Sequence, residues 1–272
     1  MSTKCKMPGR NLCARNGKVA ALFVDVDGTI LECQPHFDSA IERFGFLMAM
    51  LGFDKKHAIA SLREIDLGST HTHGFERDRF PTSMVSAYGK LCKEKKLRRR
   101  REISLICEDI GNSPFFRQPK LFANAASVLG RAHHNFLMIA VTIGNREAQK
   151  YKIRQGGLDP VFDEIIVTPN DDKAERVREA IIDLNIDADL SAFIGNSRRS
   201  DGACLAETNF IYLPLEKGWS FDDTDLPTNT GHDTFSVKDW REAEDRAITR
   251  LLRKREQMVG LSDDHDCSKH SC

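Results

Sequence analysis

The chain has 272 residues, 40% of them apolar, and its 40 lysine and arginine residues equal its 40 aspartate and glutamate residues in number. This length supports a sizeable core without metals or disulfides, and the balanced charge excludes a general attraction to nucleic acid or an anionic membrane. No run approaches the roughly 18–20 apolar residues of a membrane span. The eight cysteines are scattered without a Cys-x-x-Cys pair, and the basic N-terminus lacks a signal-peptide segment. We therefore expect a cytoplasmic protein with reduced thiols, present as a monomer or a dimer.

Short apolar runs along the chain predict buried strands. The first run, residues 19–24, ends directly at Asp25 and follows residues 1–18, which we expect to form a disordered leader. Further runs lie at 136–141, 165–167, 192–194 and 210–213, and helical patterns separate them. Such runs suit strands that are buried on both faces of a parallel sheet. Strands that alternate with helices predict an α/β fold with a Rossmann-like parallel sheet.

The interval between the first two predicted strands, residues 33–117, has helical patterns and no convincing strand. Its two apolar stripes at helical spacing are Phe37, Ile41, Phe44, Leu47, Met48 and Leu51, and then Val85, Tyr88, Leu91 and Cys92. Because this interval is too long for one crossover helix, it predicts a helical subdomain inserted into a sheet domain of residues 1–32 and 118–272. Within that sheet domain we expect loops at 216–233, a last helix at about 238–258, and a disordered tail at 261–272.

Two carboxylates follow the first predicted strand, in the segment Asp25-Val26-Asp27-Gly28-Thr29. Ligands of open α/β sheets bind at the carboxyl ends of strands. Gly28 allows the chain to turn, so that both carboxylates can reach one pocket. Two carboxylates this close repel each other and favour a bound cation. Oxygen ligands of this kind suit Mg²⁺.

This segment resembles motif one, DxDx[TV], of the haloacid-dehalogenase (HAD) superfamily. The superfamily's other motifs appear in the same order, as Thr142 at the end of a strand, then Lys173, then Gly195 to Asp201 (GNSRRSD), which is similar to GDxxxxD. Asn196 stands where that pattern has its first aspartate, and we expect this to weaken metal affinity without abolishing activity. The resemblance covers about residues 19–215, and the helical insertion matches the position of a C1 cap. It implies a Mg²⁺-dependent phosphomonoester hydrolase of small metabolites.

The resemblance also implies roles for single residues. Asp25 would be the nucleophile that forms an aspartyl-phosphate, and Asp27 the general acid and then the base. Thr142 would bind a phosphoryl oxygen. Lys173 would neutralise charge on the phosphate and on Asp25, with Lys152 as the alternative lysine.

The implied metal shell consists of Asp25, the main-chain carbonyl of Asp27, Asn196 and Asp201. Gly144 and Asn145 follow Thr142 and are candidates for substrate contact. In the cap, residues 71–81 form the candidate selectivity loop, in which Arg77 or Arg79 could bind an anionic group of the substrate.

The residues leave several alternatives open. A related HAD phosphomutase, phosphonatase or dehalogenase would use the same nucleophile, although the presence of Asp27 disfavours a dehalogenase. A non-catalytic binding or regulatory protein would explain Asn196, and the basic run 93–101 would then form a partner surface. Without interleaved aromatic residues that run does not indicate nucleic-acid binding, and a solvent-exposed helix end is the simpler interpretation.

Overall fold

The computed structural model describes residues 9–73, 77–118, 120–215 and 224–267. Eight strands are present in the described chain: β1 (Ala21–Val24), β2 (Leu31–Glu32), β3 (Lys120–Leu121), β4 (Leu137–Ile143), β5 (Glu164–Thr168), β6 (Ala192–Gly195), β7 (Asn209–Tyr212) and β8 (Thr234–Ser236). Six of them form one sheet in the order β5-β4-β1-β6-β7-β8, and every neighbouring pair is parallel. The predicted α/β fold with a Rossmann-like parallel sheet is therefore confirmed.

The helices of the described residues flank this sheet or fill the insertion. They are α1 (Gln34–Met50), α2 (Lys55–His73), α3 (Arg79–Glu94), α4 (Arg101–Asn112), α5 (Ala125–Ala132), α6 (Arg146–Gln155), α7 (Lys173–Asp183), α8 (Trp240–Glu242) and α9 (Thr249–Cys267). A π-helical segment, Ala243–Ile248, joins α8 to α9, and 3-10 turns occur at Arg15–Gly17, Ser113–Phe116, Ala188–Leu190 and Gly202–Ala206. Within the described chain, no helix has the length and apolar character needed to cross a bilayer.

The unbroken apolar runs form strands because both faces of the sheet are covered. In β1, Leu22 and Val24 pack into the core on one face, whereas Ala21 and Phe23 pack into the core on the other. Each of these side chains is completely buried. Alternate side chains of a strand point to opposite faces, so a doubly covered strand needs apolar residues at every position.

The strand β8 was not predicted. It pairs in parallel with β7 through Phe210↔Thr234 and Tyr212↔Ser236, and it lies at the edge of the sheet. Thr234 and Ser236 are exposed. An edge strand needs no continuous apolar run because one of its sides faces solvent, so its sequence resembles the preceding loop.

The inserted helices form a separate core. The strands β2 and β3 pair antiparallel at the two ends of the insertion, so the chain leaves and rejoins the sheet domain at one place. Between them, α1–α4 and the turn Ser113–Phe116 occupy the stretch predicted as helical. Phe44, Met48, Tyr88 and Leu91 are buried in this core, as the two apolar stripes predict. The basic run 93–101 lies exposed where α3 leads into α4.

The prediction of a disordered leader is wrong for residues 9–18; residues 1–8 lie outside the described chain. Leu12 is completely buried against the sheet. The 3-10 turn Arg15–Gly17, with Asn16 at a φ of 56°, reverses the chain so that Cys13 bridges to Val19. The pair Asn-Gly is a frequent tight-turn sequence, and this signal could have predicted the reversal.

The prediction of a disordered tail at 261–272 is also wrong as far as the structure describes it, because α9 continues to Cys267. Leu251 is buried on this helix, and the largely buried Arg255 donates to the carbonyl oxygens of Asn11 and Asn135. These contacts anchor the helix on the sheet domain. No proline interrupts residues 249–267, so the helix can extend past its anchor.

Asp163 provides a test of how the N-terminal segment is held. Arg10 contacts both oxygens of this carboxylate, at 2.5 and 2.9 Å, and the N–H of Met138 donates to it at 2.8 Å. Burial raises the pKa of Asp163, but the Arg10 guanidinium and the Met138 N–H outweigh it and leave the pKa below its usual value. We expect Asp163→Asn to lower the free energy of unfolding at pH 7 by about 1–3 kcal/mol.

The sign of the pH dependence follows from that lowered pKa. The stabilisation is present above the unfolded-state pKa of about 3.9 and is lost as the pH falls through the lower folded-state pKa. Urea unfolding of the wild type and of Asp163→Asn should therefore differ at pH 7 and converge below pH 4. The exposed Asp109 on α4 offers a matched Asp→Asn control. A difference that persists unchanged at pH 3 would contradict this account.

Candidate active site

A buried ionic cluster lies at the carboxyl edge of the sheet. Asp25 follows β1, Asp201 follows β6, and Lys173 begins α7. Lys173 Nζ lies 2.6 Å from Asp25 Oδ1 and 2.6 Å from Asp201 Oδ1. All three residues are at most 4% exposed. One ammonium between two carboxylates leaves the cluster with a net negative charge that is shielded from water.

Asp201 is placed by the turn that follows β6. The Ser197 N–H donates to Asp201 Oδ2 at 2.9 Å, and the Asp201 N–H donates to the Ser197 carbonyl at 3.1 Å. The carboxylate packs directly on Gly195, where an added Cβ would lie 2.4 Å from Asp201 Cγ. Glycine at 195 is therefore required for Asp201 to reach Lys173.

The turn after β1 holds Asp25 and Asn196 together. The Thr29 hydroxyl lies 2.9 Å from both Asp25 Oδ2 and Asn196 Oδ1 and can donate its one hydrogen to either. Gly28 has a φ of +85°, and a Cβ there would lie 2.9 Å from Asn196 Nδ2. From the C-terminal segment, Trp240 Nε1 donates to the Thr29 carbonyl at 3.0 Å.

Asp27 has a separate set of partners. Lys152 Nζ lies 3.0 and 2.7 Å from its two carboxylate oxygens. Gln149 Nε2 donates to Asp27 Oδ2 at 2.8 Å, and Cys33 Sγ lies 2.9 Å from Asp27 Oδ1. Among the described residues, each of these partners donates to the Asp27 side chain.

The two carboxylates therefore have different electrostatic environments. Burial raises the pKa of Asp25 to about 7 against the opposing effect of Lys173. Burial also raises the pKa of Asp27, but Lys152, Cys33 and Gln149 outweigh it and lower that pKa below its usual value. Burial lowers the pKa of Lys173, and Asp201 and Asp25 more than reverse this effect. Carboxylates with pKa values moved in opposite directions are typical of acid–base sites.

The structure brings several of the predicted site residues together. Asp25, Lys173, Asn196 and Asp201 are joined through direct contacts or through Thr29. The two lysines have different partners, since Lys173 contacts Asp25 and Lys152 contacts Asp27.

Three predicted site residues, Thr142, Gly144 and Asn145, lie at or just after the end of β4. Thr142 is buried at this strand end, and within the described chain no hydrogen bond joins its hydroxyl to the ionic cluster. The Gly144 N–H donates to the Thr168 carbonyl at 2.8 Å, because β4 and β5 remain paired there. Asn145 caps α6 by accepting from the Ala148 N–H at 3.1 Å. Gly144 and Asn145 thus serve local structure, and substrate contact at these residues stays a prediction.

The predicted selectivity loop 71–81 is mostly helical, which corrects the loop assignment. The helix α2 extends to His73 and α3 begins at Arg79, whereas residues 74–76 lie outside the described chain. Pro81 stands in the first turn of α3, where its missing N–H interrupts no helical hydrogen bond.

The two arginines of that segment have partners inside the cap. Arg79 forms an ion pair with Asp66 and donates to its carbonyl at 3.0 Å. The Arg77 guanidinium lies 4.8 Å from the ring centroid of Phe116. The prediction that either arginine binds the substrate is therefore not supported by these contacts. Arg79 in particular is committed to the cap's own charge pair.

A small cleft separates the cap from the sheet domain. Its volume is about 20 Å³, and it is lined by Cys33, His36, Phe37, Pro114, Phe115, Arg117, Tyr151 and Lys152. Cys33 and Lys152 both hydrogen-bond to Asp27. The cleft therefore lies beside Asp27, between residues of α1, the 3-10 turn and α6.

Four residues of this site were not identified from the sequence, namely Thr29, Cys33, Gln149 and Trp240. Thr29 occupies the last position of the motif DxDxT, which was a usable signal. Gln149 and Lys152 are three residues apart on α6 and therefore share one helix face. Trp240 lies far from Thr29 in sequence, and no pattern connects the two.

The site residues fit a magnesium ion by the chemistry of their oxygens. Asp25, Asn196 and Asp201 supply side-chain oxygens, and the cluster of two carboxylates and one ammonium carries net negative charge when both carboxylates are ionised. Asp25 Oδ2 and Asn196 Oδ1 converge on one hydroxyl that can satisfy only one of them. Among the described residues, no group of three His, Cys, Asp or Glu side chains alone is arranged to hold a metal. The amide and carbonyl oxygens are therefore essential to any such site.

We compared the chain with known protein families, curated proteins and solved structures. No family model matches the chain, and no curated protein matches it. Among solved structures, a HAD-like hydrolase from Xanthomonas campestris has a TM-score of 0.69 at 19% identity, over 88% of this chain and 99% of that one. A magnesium-bound HAD-hydrolase from Bacillus subtilis has a TM-score of 0.54 at 20% identity, covering 83% and 96%. A HAD phosphatase from Thermococcus onnurineus has a TM-score of 0.51 at 18% identity, covering 83% and 96%.

These similarities define a class of fold. The chain is an α/β protein with a Rossmann-like sheet, acidic residues at its carboxyl edge and a helical insertion after the first strand. It has the fold of the haloacid-dehalogenase-like hydrolases. Solved structures with this fold include 2-haloacid dehalogenases as well as phosphatases, so the fold by itself does not select the reaction.

Proposed function

We propose that this protein is a magnesium-dependent phosphomonoester hydrolase in which Asp25 is the nucleophile. The observation that carries the proposal is the buried contact of Lys173 with both Asp25 and Asp201. A lysine held there supplies positive charge where a phosphoryl group would meet an anionic nucleophile. The second carboxylate, Asp27, supports phosphate ester cleavage because that reaction needs an acid and then a base.

The reaction would proceed in two balanced steps. In the first, an Asp25 oxygen attacks phosphorus, its bond to phosphorus forms as the ester P–O bond breaks, and Asp27 gives its proton to the leaving oxygen. In the second, a water oxygen attacks phosphorus while Asp27 accepts a proton from that water. The bond between Asp25 and phosphorus then breaks and inorganic phosphate leaves. The donors around Asp27 favour its ionised form, which the second step requires and which must take up a proton before the first step.

The proposed magnesium ion would be held by Asp25, the Asp27 carbonyl, Asn196 and Asp201. When bound, it would offset the repulsion between nucleophile and phosphate and stabilise developing negative charge. Lys173 keeps Asp25 and Asp201 within one hydrogen-bonded unit, and the Thr29 hydroxyl fixes the position of Asn196.

Hydrolysis of p-nitrophenyl phosphate tests this proposal. The wild type with Mg²⁺ should release p-nitrophenol, and excess EDTA should suppress this release. Asp25→Asn keeps the side-chain shape and removes the nucleophile, so we expect a loss of about 1,000-fold or more in kcat. Asp109→Asn, in an exposed part of the cap, should leave the rate unchanged.

The same assay distinguishes the proposed phosphatase from a dehalogenase. Halide release from a 2-haloacid in the presence of EDTA, without phosphate release from the ester, would overturn the proposal. Phosphatase activity that survives in Asp25→Asn would contradict the assigned nucleophile. Transfer of the phosphoryl group to a sugar hydroxyl in place of water would indicate a mutase.

A further inference from the structure

The helix α6 carries two residues that hold Asp27 and that no motif assigns. We propose that Lys152 is a positioning residue which, together with Gln149, fixes the orientation of the Asp27 carboxylate towards the leaving group. This inference rests on the proposed phosphatase function, because it concerns how the acid–base residue of that reaction is aimed.

Lys152 and Gln149 form a clamp, meaning that both donate hydrogen bonds to the Asp27 carboxylate. Lys152 Nζ contacts both oxygens of Asp27, at 3.0 and 2.7 Å, which fixes the plane of the carboxylate more firmly than one contact would. Gln149 Nε2 adds a contact of 2.8 Å to Oδ2. Lys152 and Gln149 lie one helical turn apart, so one rigid helix face delivers both donors.

The clamp is itself anchored to the sheet. Gln149 Nε2 also donates to the Ile143 carbonyl at 2.9 Å, at the end of β4. Gly144 permits this arrangement, since a Cβ at that position would lie 3.1 Å from Gln149 Nε2. The Asn145 cap fixes the start of α6. The end of β4, Gly144 and the Asn145 cap therefore fix the helix face that carries both Gln149 and Lys152.

The position of the clamp indicates which step it serves. Lys152 and Cys33 line the cleft between cap and sheet domain, and both contact Asp27. Lys173, in contrast, contacts Asp25 and Asp201 on the buried side. The two lysines therefore divide the site: Lys173 contacts the nucleophile, and Lys152 contacts the acid–base carboxylate beside the cleft.

The test uses two esters that differ in their need for a proton. An alkoxide leaving group must be protonated, whereas p-nitrophenolate leaves without a proton, so an acid that is poorly aimed affects alkyl esters selectively. We expect Lys152→Met to slow the first step, measured as the initial burst of alcohol release, by about 10- to 100-fold for glycerol 2-phosphate and by less than about 3-fold for p-nitrophenyl phosphate. KM for both esters should change little.

Lys150→Met is the matched control, because Lys150 lies on the same helix and makes none of the hydrogen bonds to Asp27. Asp27→Asn should show the same selective loss in the first step, although it also slows hydrolysis of the intermediate for both esters. Adding Lys152→Met to it should cause little further loss in the first step, since both changes act through one group. An equal loss on both esters, or full additivity of the two substitutions, would overturn the positioning role.

If the wild type hydrolyses neither ester, that result alone contradicts the proposed function. A crystal structure of Lys152→Met still tests the positioning role, because it shows the orientation of the Asp27 carboxylate. An Asp27 carboxylate that stays in its wild-type position without Lys152 would independently overturn the inference. A carboxylate turned away from the cleft would support it.

Discussion

Replacing Lys173 with methionine is expected to remove activity and to lower the free energy of unfolding by about 3–5 kcal/mol at pH 8. The substitution leaves Asp25 and Asp201 facing each other in a buried site without the ammonium that lies 2.6 Å from each. Burial already raises the pKa of Asp25 to about 7, so this carboxyl can take up a proton when the lysine is lost. The destabilisation should therefore be smaller at pH 5 than at pH 8.

Urea unfolding in EDTA at the two pH values measures this effect. The double variant Lys173→Met with Asp201→Asn removes one of the stranded charges, and its stability at pH 8 should exceed that of Lys173→Met alone. Equal stabilities of the single variant and the wild type at both pH values would show that the cluster does not carry the buried charges described above.

Replacing Gly195 with alanine is the second change with a large expected effect. The new Cβ would lie 2.4 Å from both Asp201 Cγ and Asp201 Oδ2, a distance that forces the carboxylate to move. This displacement would break its contacts with Lys173 and with the Ser197 N–H. We expect a loss of about 2–4 kcal/mol in the free energy of unfolding, from overpacking and lost hydrogen bonds together.

Gly130→Ala is the matched control for that experiment. Gly130 lies within α5, and nothing lies within 4 Å of a Cβ added there. Alanine is the better helix former, so this change should stabilise the protein by roughly 0.5–1 kcal/mol. The two glycine substitutions should thus have opposite signs in denaturant unfolding. A Gly195→Ala protein as stable and active as the wild type would mean that Asp201 has no role in the site.

The sheet was largely predictable from the sequence because its strands are buried on both faces. Residues 19–24 form an unbroken apolar run of the kind that only a doubly covered strand requires. The edge strand Thr234–Ser236 gave no such signal, since solvent covers one of its sides. The N-terminal segment was missed for a related reason: its buried apolar residues, Leu12 and Ala14, are too few to make a periodic pattern, and polar contacts such as Arg10 with Asp163 help to hold it on the sheet domain.

The candidate site was predictable where its residues follow strands directly. Asp25 and Asp201 each stand just after a strand that ends at the same edge, so topology alone brings them together. Lys152 was considered only as a substitute for Lys173, because sequence spacing does not reveal which carboxylate a helical lysine faces. Arg77 or Arg79 was a candidate for binding an anionic group of the substrate. The sequence does not reveal that Arg79 pairs with Asp66 on another helix, because a charge pair between helices depends on their packing.

Gly144 and Asn145, the candidates for substrate contact, also satisfy local backbone needs. Asparagine before a helix is a common cap, and the N–H of Gly144 continues the ladder to β5. Whether such a residue bonds to the local backbone or to a ligand depends on the path of the chain. The sequence alone does not give that path.

The central claim is that Asp25 receives the phosphoryl group, and mass mapping of the trapped enzyme tests it most directly. Asp27→Asn should slow hydrolysis of the intermediate, because no base then activates the attacking water. We would mix this variant with Mg²⁺ and p-nitrophenyl phosphate, quench in acid, and map the peptides. The account predicts one phosphoryl group on the peptide containing Asp25, absent when Asp25 is also changed to asparagine. Release of p-nitrophenol with no phosphoryl group on Asp25, or with the group on another residue, would contradict it.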